Sequence, residues 1–296
     1  MYSSCQTKEF QDDLRETDAN APAAAFRNKR SKQMKSMERQ TYSSRILKGG
    51  AILNETKILL ANWNESLSKH DNLDRFRRNN ILGKASRSRV EDIFQVFRQR
   101  YLVEEPVTKA LVGLIRARYE ADAFDRILYF HATRSDPLIH DFVIEVLWPR
   151  YLRGRQDILV KDAEGWIREK IAMGATIRQW SDNTIEKSAR GLMSTLRDFG
   201  VLQGLNNKRT APAYLPIGAF SYVAFYLNRL QPSGKRLLED QEWSLFFLSP
   251  QTVERLFMEA HQLHLLEYHA AGSVIRVDFS AETLEEYIHV ILERAH

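Results

Sequence analysis

The 296-residue chain has a single cysteine, Cys5, and so can form neither an internal disulfide nor a cysteine-rich zinc site. So sparing a use of thiols fits a reducing cytoplasm. Long apolar runs are also missing. The longest, Ala219 to Leu230, contains Ser221 and Asn228 and falls well short of the roughly 20 residues that span a bilayer. The opening MYSSCQTKEFQDD lacks the basic-then-apolar plan of a secretion signal. There is no GxGxxG, P-loop or HExxH motif. Ser66 and Lys69 form an SxxK spacing without any companion motif. His261, His264 and His269 lie close in sequence, but with no cysteine or suitably spaced carboxylate they read as surface histidines. These absences exclude a membrane-spanning segment and give no reason to expect a cofactor, a metal, a catalytic residue or a small-molecule substrate.

What the chain does have is apolar content for a real core, 44%, and a charge that is unevenly spread. Lys and Arg exceed Asp and Glu by only 43 to 38. Yet Arg75 to Arg118 holds eleven basic residues against four acidic ones, whereas Arg276 to His296 holds two against five. One region is suited to polyanions.

Periodicity predicts a mainly α protein in three parts. Residues 1–41 are polar and then basic, a composition that buries too little apolar surface to order itself, and read as a disordered basic tail. Residues 42–157 read as a helical N-terminal domain with a helix-turn-helix. Its helices run over Ile52–Trp63, Leu73–Ile81, Arg87–Leu102, Val107–Phe130 and Pro137–Leu152. Residues 158–296 read as a winged-helix C-terminal region with short β-hairpins. There, a helix over Asp162–Met173 precedes one starting at Asn183, with Asn183 and Glu186 spaced as a capping box. A hairpin then pairs Val201–Gln203 with Tyr214–Pro216. The same order returns near the C-terminus: Ser249 caps a helix carrying Val253 to Ala260, a hairpin turns at Ala271-Gly272, and a final helix carries Leu284 to Leu292.

Two stretches are candidates for nucleic-acid contact. In residues 181–204, Lys187, Arg190 and Arg197 lie off the buried helix face, just before a polar tip with Asn206, Asn207, Lys208 and Arg209. A duplex takes this layout: the helix enters the major groove and the basic tip touches phosphates. The same module also serves elsewhere for protein contact alone, and that alternative stays open. In residues 75–101, Arg77, Arg78, Arg87, Arg89 and Arg98 surround an apolar stripe of Val90, Ile93, Phe94, Phe97 and Tyr101, with Asp92 on the outer face opposing tight phosphate contact.

The stretches YSSRILKGGAILNETKILLANWN (42–64), NNILGKASRSRVEDIFQVFRQRYL (79–102) and TIEKSARGLMSTLRDFGVL (184–202) together resemble the BrxA family of BREX phage-defence systems, with the likeness running from about Tyr42 to the C-terminus. The resemblance implies a cytoplasmic bacterial protein with helix-turn-helix modules that binds double-stranded DNA and supports host DNA methylation and phage exclusion. It also implies a BREX methyltransferase, ATPase and phosphatase-like protein as partners. A scaffold that docks only those partners, or an RNA-binding protein akin to the antitermination protein NusB, are the alternatives. The 40 residues before Tyr42 depart from the family pattern, which makes Met34 or Met37 a candidate start.

Overall fold

The computed structural model describes residues 41–272 and 274–294. The tail expected over 1–41, with Cys5, the basic run and the candidate starts Met34 and Met37, lies outside the described residues apart from Thr41.

Tyr42 is buried beside Trp166, with ring centroids 5.7 Å apart, and donates its hydroxyl to Asp141 at 2.7 Å. One helical turn, α1 (Ile46–Gly49), leads through Ile52 into α2 (Leu53–Ala61). Ile52 has φ 47°, a left-handed conformation that is costly for a β-branched residue. The buried guanidinium of Arg100 holds the turn by donating to the carbonyls of Gly50 (2.7 Å) and Ala51 (3.2 Å). Serine caps begin both α3 (Lys69–Arg78), through Ser68, and α4 (Arg87–Tyr101), through Ser86. The apolar stripe anticipated on α4 faces inward at Ile93, Phe94, Phe97 and Tyr101.

The single helix expected over Val107–Phe130 is two: α5 (Glu105–Arg116) and α6 (Ala121–Ser135). Arg118, at φ 55°, makes the corner. Its amide bonds to the Ile115 carbonyl, and that of Tyr119 to the Leu114 carbonyl, both at 3.1 Å, which closes the end of α5 as glycine usually does. Beyond it, α7 (Pro137–Phe142), a π-helical turn (Val143–Leu147) and α8 (Trp148–Leu152) follow one another without a break. The wide turn falls just before Pro149, which has no N–H to continue an α-helical ladder.

Next come β1 (Asp157–Ile158), α9 (Val160–Ala172), α10 (Asp182–Asp198), β2 (Leu202–Gln203) and β3 (Lys208–Thr210). The three strands form one antiparallel sheet in the order β1-β3-β2, with Arg209 opposite both Asp157 and Gln203. The hairpin's second strand is therefore 208–210, not the expected Tyr214–Pro216. Pro216 lies within the latter segment and Pro212 just before it, and neither can donate to a ladder. The two-residue β1 leaves no periodic signal in the sequence.

The remaining elements are α11 (Ile217–Leu230), α12 (Gly234–Leu238), a 3₁₀ turn (Gln241–Phe246), α13 (Pro250–Gln262), the hairpin β4 (Glu267–Ala271) and β5 (Val274–Asp278), and α14 (Leu284–Arg294). The longest apolar run of the sequence is α11, whose residues 218–227 are all buried. It packs against α6, α12, α13 and α14, while α14 also covers α5. The described residues cluster as one compact unit, with a single hydrophobic core that takes side chains from both sides of residue 157. Among the described residues no helix is long and apolar enough to cross a membrane.

Polar groups cross this core in pairs. His131 of α6 lies 2.9 Å from the Tyr222 hydroxyl of α11, and Tyr226 donates to Glu104 at 2.7 Å. His140 sits between Asp141 (2.8 Å) and Glu242 (3.5 Å) with only 12% of its side chain exposed. Burial opposes its charge, but the hydrogen bonds to Asp141 and Glu242 outweigh it and push the pKa up from 6.5 to about 9. Burial, helped by Arg134, instead lowers His131 to about 3.

This packing has two measurable consequences. A Cβ on Gly234 would stand 2.4 Å from the Ile275 carbonyl oxygen of β5, a backbone atom that cannot swing aside. Gly234→Ala should therefore cost about 1–3 kcal/mol in urea unfolding; a wild-type midpoint would mean that α12 is not seated on β5. For His140, a folded-state pKa above the unfolded value means stabilisation that is complete below pH 6.5 and disappears as pH rises through about 9. Thermal midpoints should fall across that window, by roughly 2–4 °C for each kcal/mol of stability, and His140→Gln should flatten the decline. His131 runs the other way, its contribution falling from pH 6.5 toward 3.

Candidate nucleic-acid interface

The best-formed candidate surface is on α10. Ile185, Ser188, Ala189, Leu192, Met193, Thr195 and Leu196 face the core, which turns Asn183, Lys187, Arg190, Ser194 and Arg197 outward along one stripe at spacings of four, three, four and three. Core contacts fix the helix closely. A Cβ on Gly191 would lie 3.7 Å from Ile46 of α1, and at the far end Arg126 donates to the carbonyls of Phe199 (3.2 Å) and Gly200 (3.3 Å). Sequence reasoning missed Arg126, which carries no local signal because its partners are 73 and 74 residues away.

The start of α10 differs from expectation. The N-cap is Ser181, whose hydroxyl accepts from the Thr184 amide at 3.3 Å, and Asn183 is the second helical residue. Both residue types cap helices, and Ser181 wins because it is the one in the extended conformation (φ −68°, ψ 158°). Glu186 does not reach back to a cap but pairs with Arg190 at 2.6 Å. Asp182 pairs with Arg168 of α9 at 2.5 Å. Both pairs are largely exposed, so each contributes little to stability.

The hairpin adds its charges at the other end of the stripe. Lys208 donates to the Leu205 carbonyl at 2.6 Å, and burial together with the nearby charge of Arg197 lowers its pKa. Asp198 offsets part of the repulsion between Arg197 and Lys208. Arg197 itself bonds to Asp198 at 2.7 Å, and Arg209 lies 4.0 Å from Asp157 on β1. Lys187, Arg190, Arg197, Lys208 and Arg209 thus belong to one module, β1-α9-α10-β2-β3.

The second group is less uniform. Arg77 is held by Glu91 through two bonds (2.6 and 3.0 Å) and also bonds to Asp74; the hydrogen bonds to Glu91 are the leading cause of its raised pKa. Arg78 and Arg87 are exposed at a cleft of about 840 Å³ between α3 and α4. Arg89 donates to the Lys48 carbonyl, and Lys48 pairs with Asp92 at 3.4 Å. Arg98 is exposed and its charge helps to lower the pKa of Glu91. In this group Arg78 and Arg87 are the cations most open to a phosphate.

A family model described as BrxA matches residues 40–226, well over half of the chain. The chain belongs to the BrxA family. No curated protein matches it. BrxA membership implies a role in BREX phage defence, with other BREX components as partners. The matched stretch takes in α1 to α10, both candidate surfaces and the three-stranded sheet, and ends inside α11.

The capping assignment is testable directly. Ser181→Ala should cost about 1 kcal/mol in chemical unfolding, as the loss of a serine cap does. Asn183→Ala should leave stability within about 0.5 kcal/mol of wild type; the reverse ranking would return the cap to Asn183.

Proposed function

We propose that this BrxA-family protein is a non-enzymatic, cytoplasmic accessory factor of BREX defence that engages double-stranded DNA mainly through phosphates, using the β1-α9-α10-β2-β3 module as a winged helix. The observation that carries this reading is the outward stripe Asn183, Lys187, Arg190 and Arg197 of α10, which leads directly into a hairpin carrying Lys208 and Arg209. Helix α10 is the recognition helix and the β2–β3 connection is the wing. The α3–α4 pair supplies a second helix-turn-helix, with Arg78 and Arg87 as its phosphate contacts. Through this grip on DNA the protein supports methylation of host DNA by the BREX methyltransferase.

A protein-docking role has its own supporting observation in the second helix–hairpin unit. The exposed residues of α13 include Arg255, Met258, Glu259 and Gln262, a mixed face without a basic excess. That face suits a BREX protein better than a duplex. The protein then acts as an adaptor, holding DNA by the first module and a partner by the second.

Fluorescence anisotropy with labelled duplex DNA, single-stranded DNA and hairpin RNA, from low to physiological salt, tests the reading. The expected result is duplex preference with a steep salt slope. Reversing Lys187, Arg190, Lys208 and Arg209 to Glu should lower that slope by about 0.9 for every phosphate that is no longer neutralised. Unchanged affinity in the reversed variant would remove α10 as the site, RNA preference would favour the antitermination-like alternative, and binding to none of the three would leave the scaffold role.

A further inference from the structure

With Ser181 as the cap of α10, a side chain that the sequence pattern assigns to capping is free for another role. Asp182 is tied to Arg168 and Glu186 is tied to Arg190. What remains on the leading end of the stripe is Asn183 and Lys187, both exposed, and neither side chain has a hydrogen bond or ion pair among the described residues. They are four residues apart on one face, so their Cβ atoms lie roughly 6 Å from each other.

These two side chains have complementary chemistry. A carboxamide presents one acceptor and one donor side by side, which matches the N6 and N7 edge of adenine in the major groove. An ammonium presents only donors, which suits the two acceptors O6 and N7 of guanine. Phosphate contacts elsewhere on the module would position the helix but carry no sequence information. A spacing of about 6 Å corresponds to no more than two base-pair steps of roughly 3.4 Å each.

Resting on the proposed DNA-binding role of α10, we infer that Asn183 and Lys187 are base-reading residues and that the preferred duplex contains an adenine and a guanine within two base pairs of each other. The surrounding ion pairs serve this selectivity. They neutralise Asp182 and Glu186, which would otherwise repel the phosphates flanking the groove, and they leave the two readers uncommitted.

The test is selection of bound duplexes from a pool with a randomised central segment, followed by salt titrations on the selected duplex. Wild-type protein should enrich an adenine and a guanine at the stated spacing. Asn183→Ala should abolish the adenine preference and weaken binding to the selected duplex by about 10-fold, while the salt slope stays at the wild-type value because no charge is removed. Lys187→Ala should abolish the guanine preference instead. Duplex binding with no enriched bases, or with a motif unaffected by Asn183→Ala, overturns this inference and leaves DNA binding by α10 intact. Failure of the wild-type protein to bind any duplex overturns both.

Discussion

A helix that is apolar on every side is stable in water only if something covers every side, and α11 imposes that requirement on the rest of the chain. Residues 218–227 are buried without interruption, so no face of this helix is left to serve any other purpose. Helices α6, α12, α13 and α14 meet the demand, drawn from both sides of α11 in the sequence. His131 and Tyr222 match each other's polar atoms across one of these contacts. An unpaired hydroxyl or imidazole there would cost about 1–3 kcal/mol, a large share of the stability of any domain.

The candidate DNA surface inherits its rigidity from this arrangement. Helix α10 packs most extensively on α9, and it is also held by α1 along its middle and by Arg126 of α6 at its C-terminal end. Because α6 is itself packed on α11, the orientation of the stripe is fixed through two layers of ordinary core packing. A surface that must present cations and amides to a rigid partner gains from such fixing, since side chains held in register lose less entropy on binding.

Most of the helices were legible in the sequence, and the reasons for the misses are physical. Where a helix ends at glycine, as α10 does at Gly200 and α9 at Gly174, the signal is plain because glycine accepts positive φ without a steric penalty. Where the same left-handed end is made by Arg118, Asn80, His264 or Phe247, the local sequence carries little or no trace of it. Apolar periodicity continues straight across Arg118, which is why α5 and α6 read as one helix. The cap of α10 was ambiguous for a different reason: Ser181 and Asn183 are both good caps, and only the backbone angles decide. The site was legible as a set of charges, but not as a set of partners. No local pattern announces that Arg77 belongs to Glu91, or that Arg209 faces Asp157 across a strand of two residues.

The corner at Arg118 has a kinetic side. A left-handed, non-glycine residue costs roughly 1–2 kcal/mol, and only the closure of α5 and α6 around the core repays it. The covering elements come from several parts of the chain: α2 and α14 pack on α5, and α4, α7 and α11 pack on α6. A bend that rests on tertiary contacts and not on local preference is of the kind that forms late in folding, with φ-values near zero. The α5–α6 pair thus takes its angle from the elements packed on it, and a substitution at Arg118 acts mainly on the rate of unfolding.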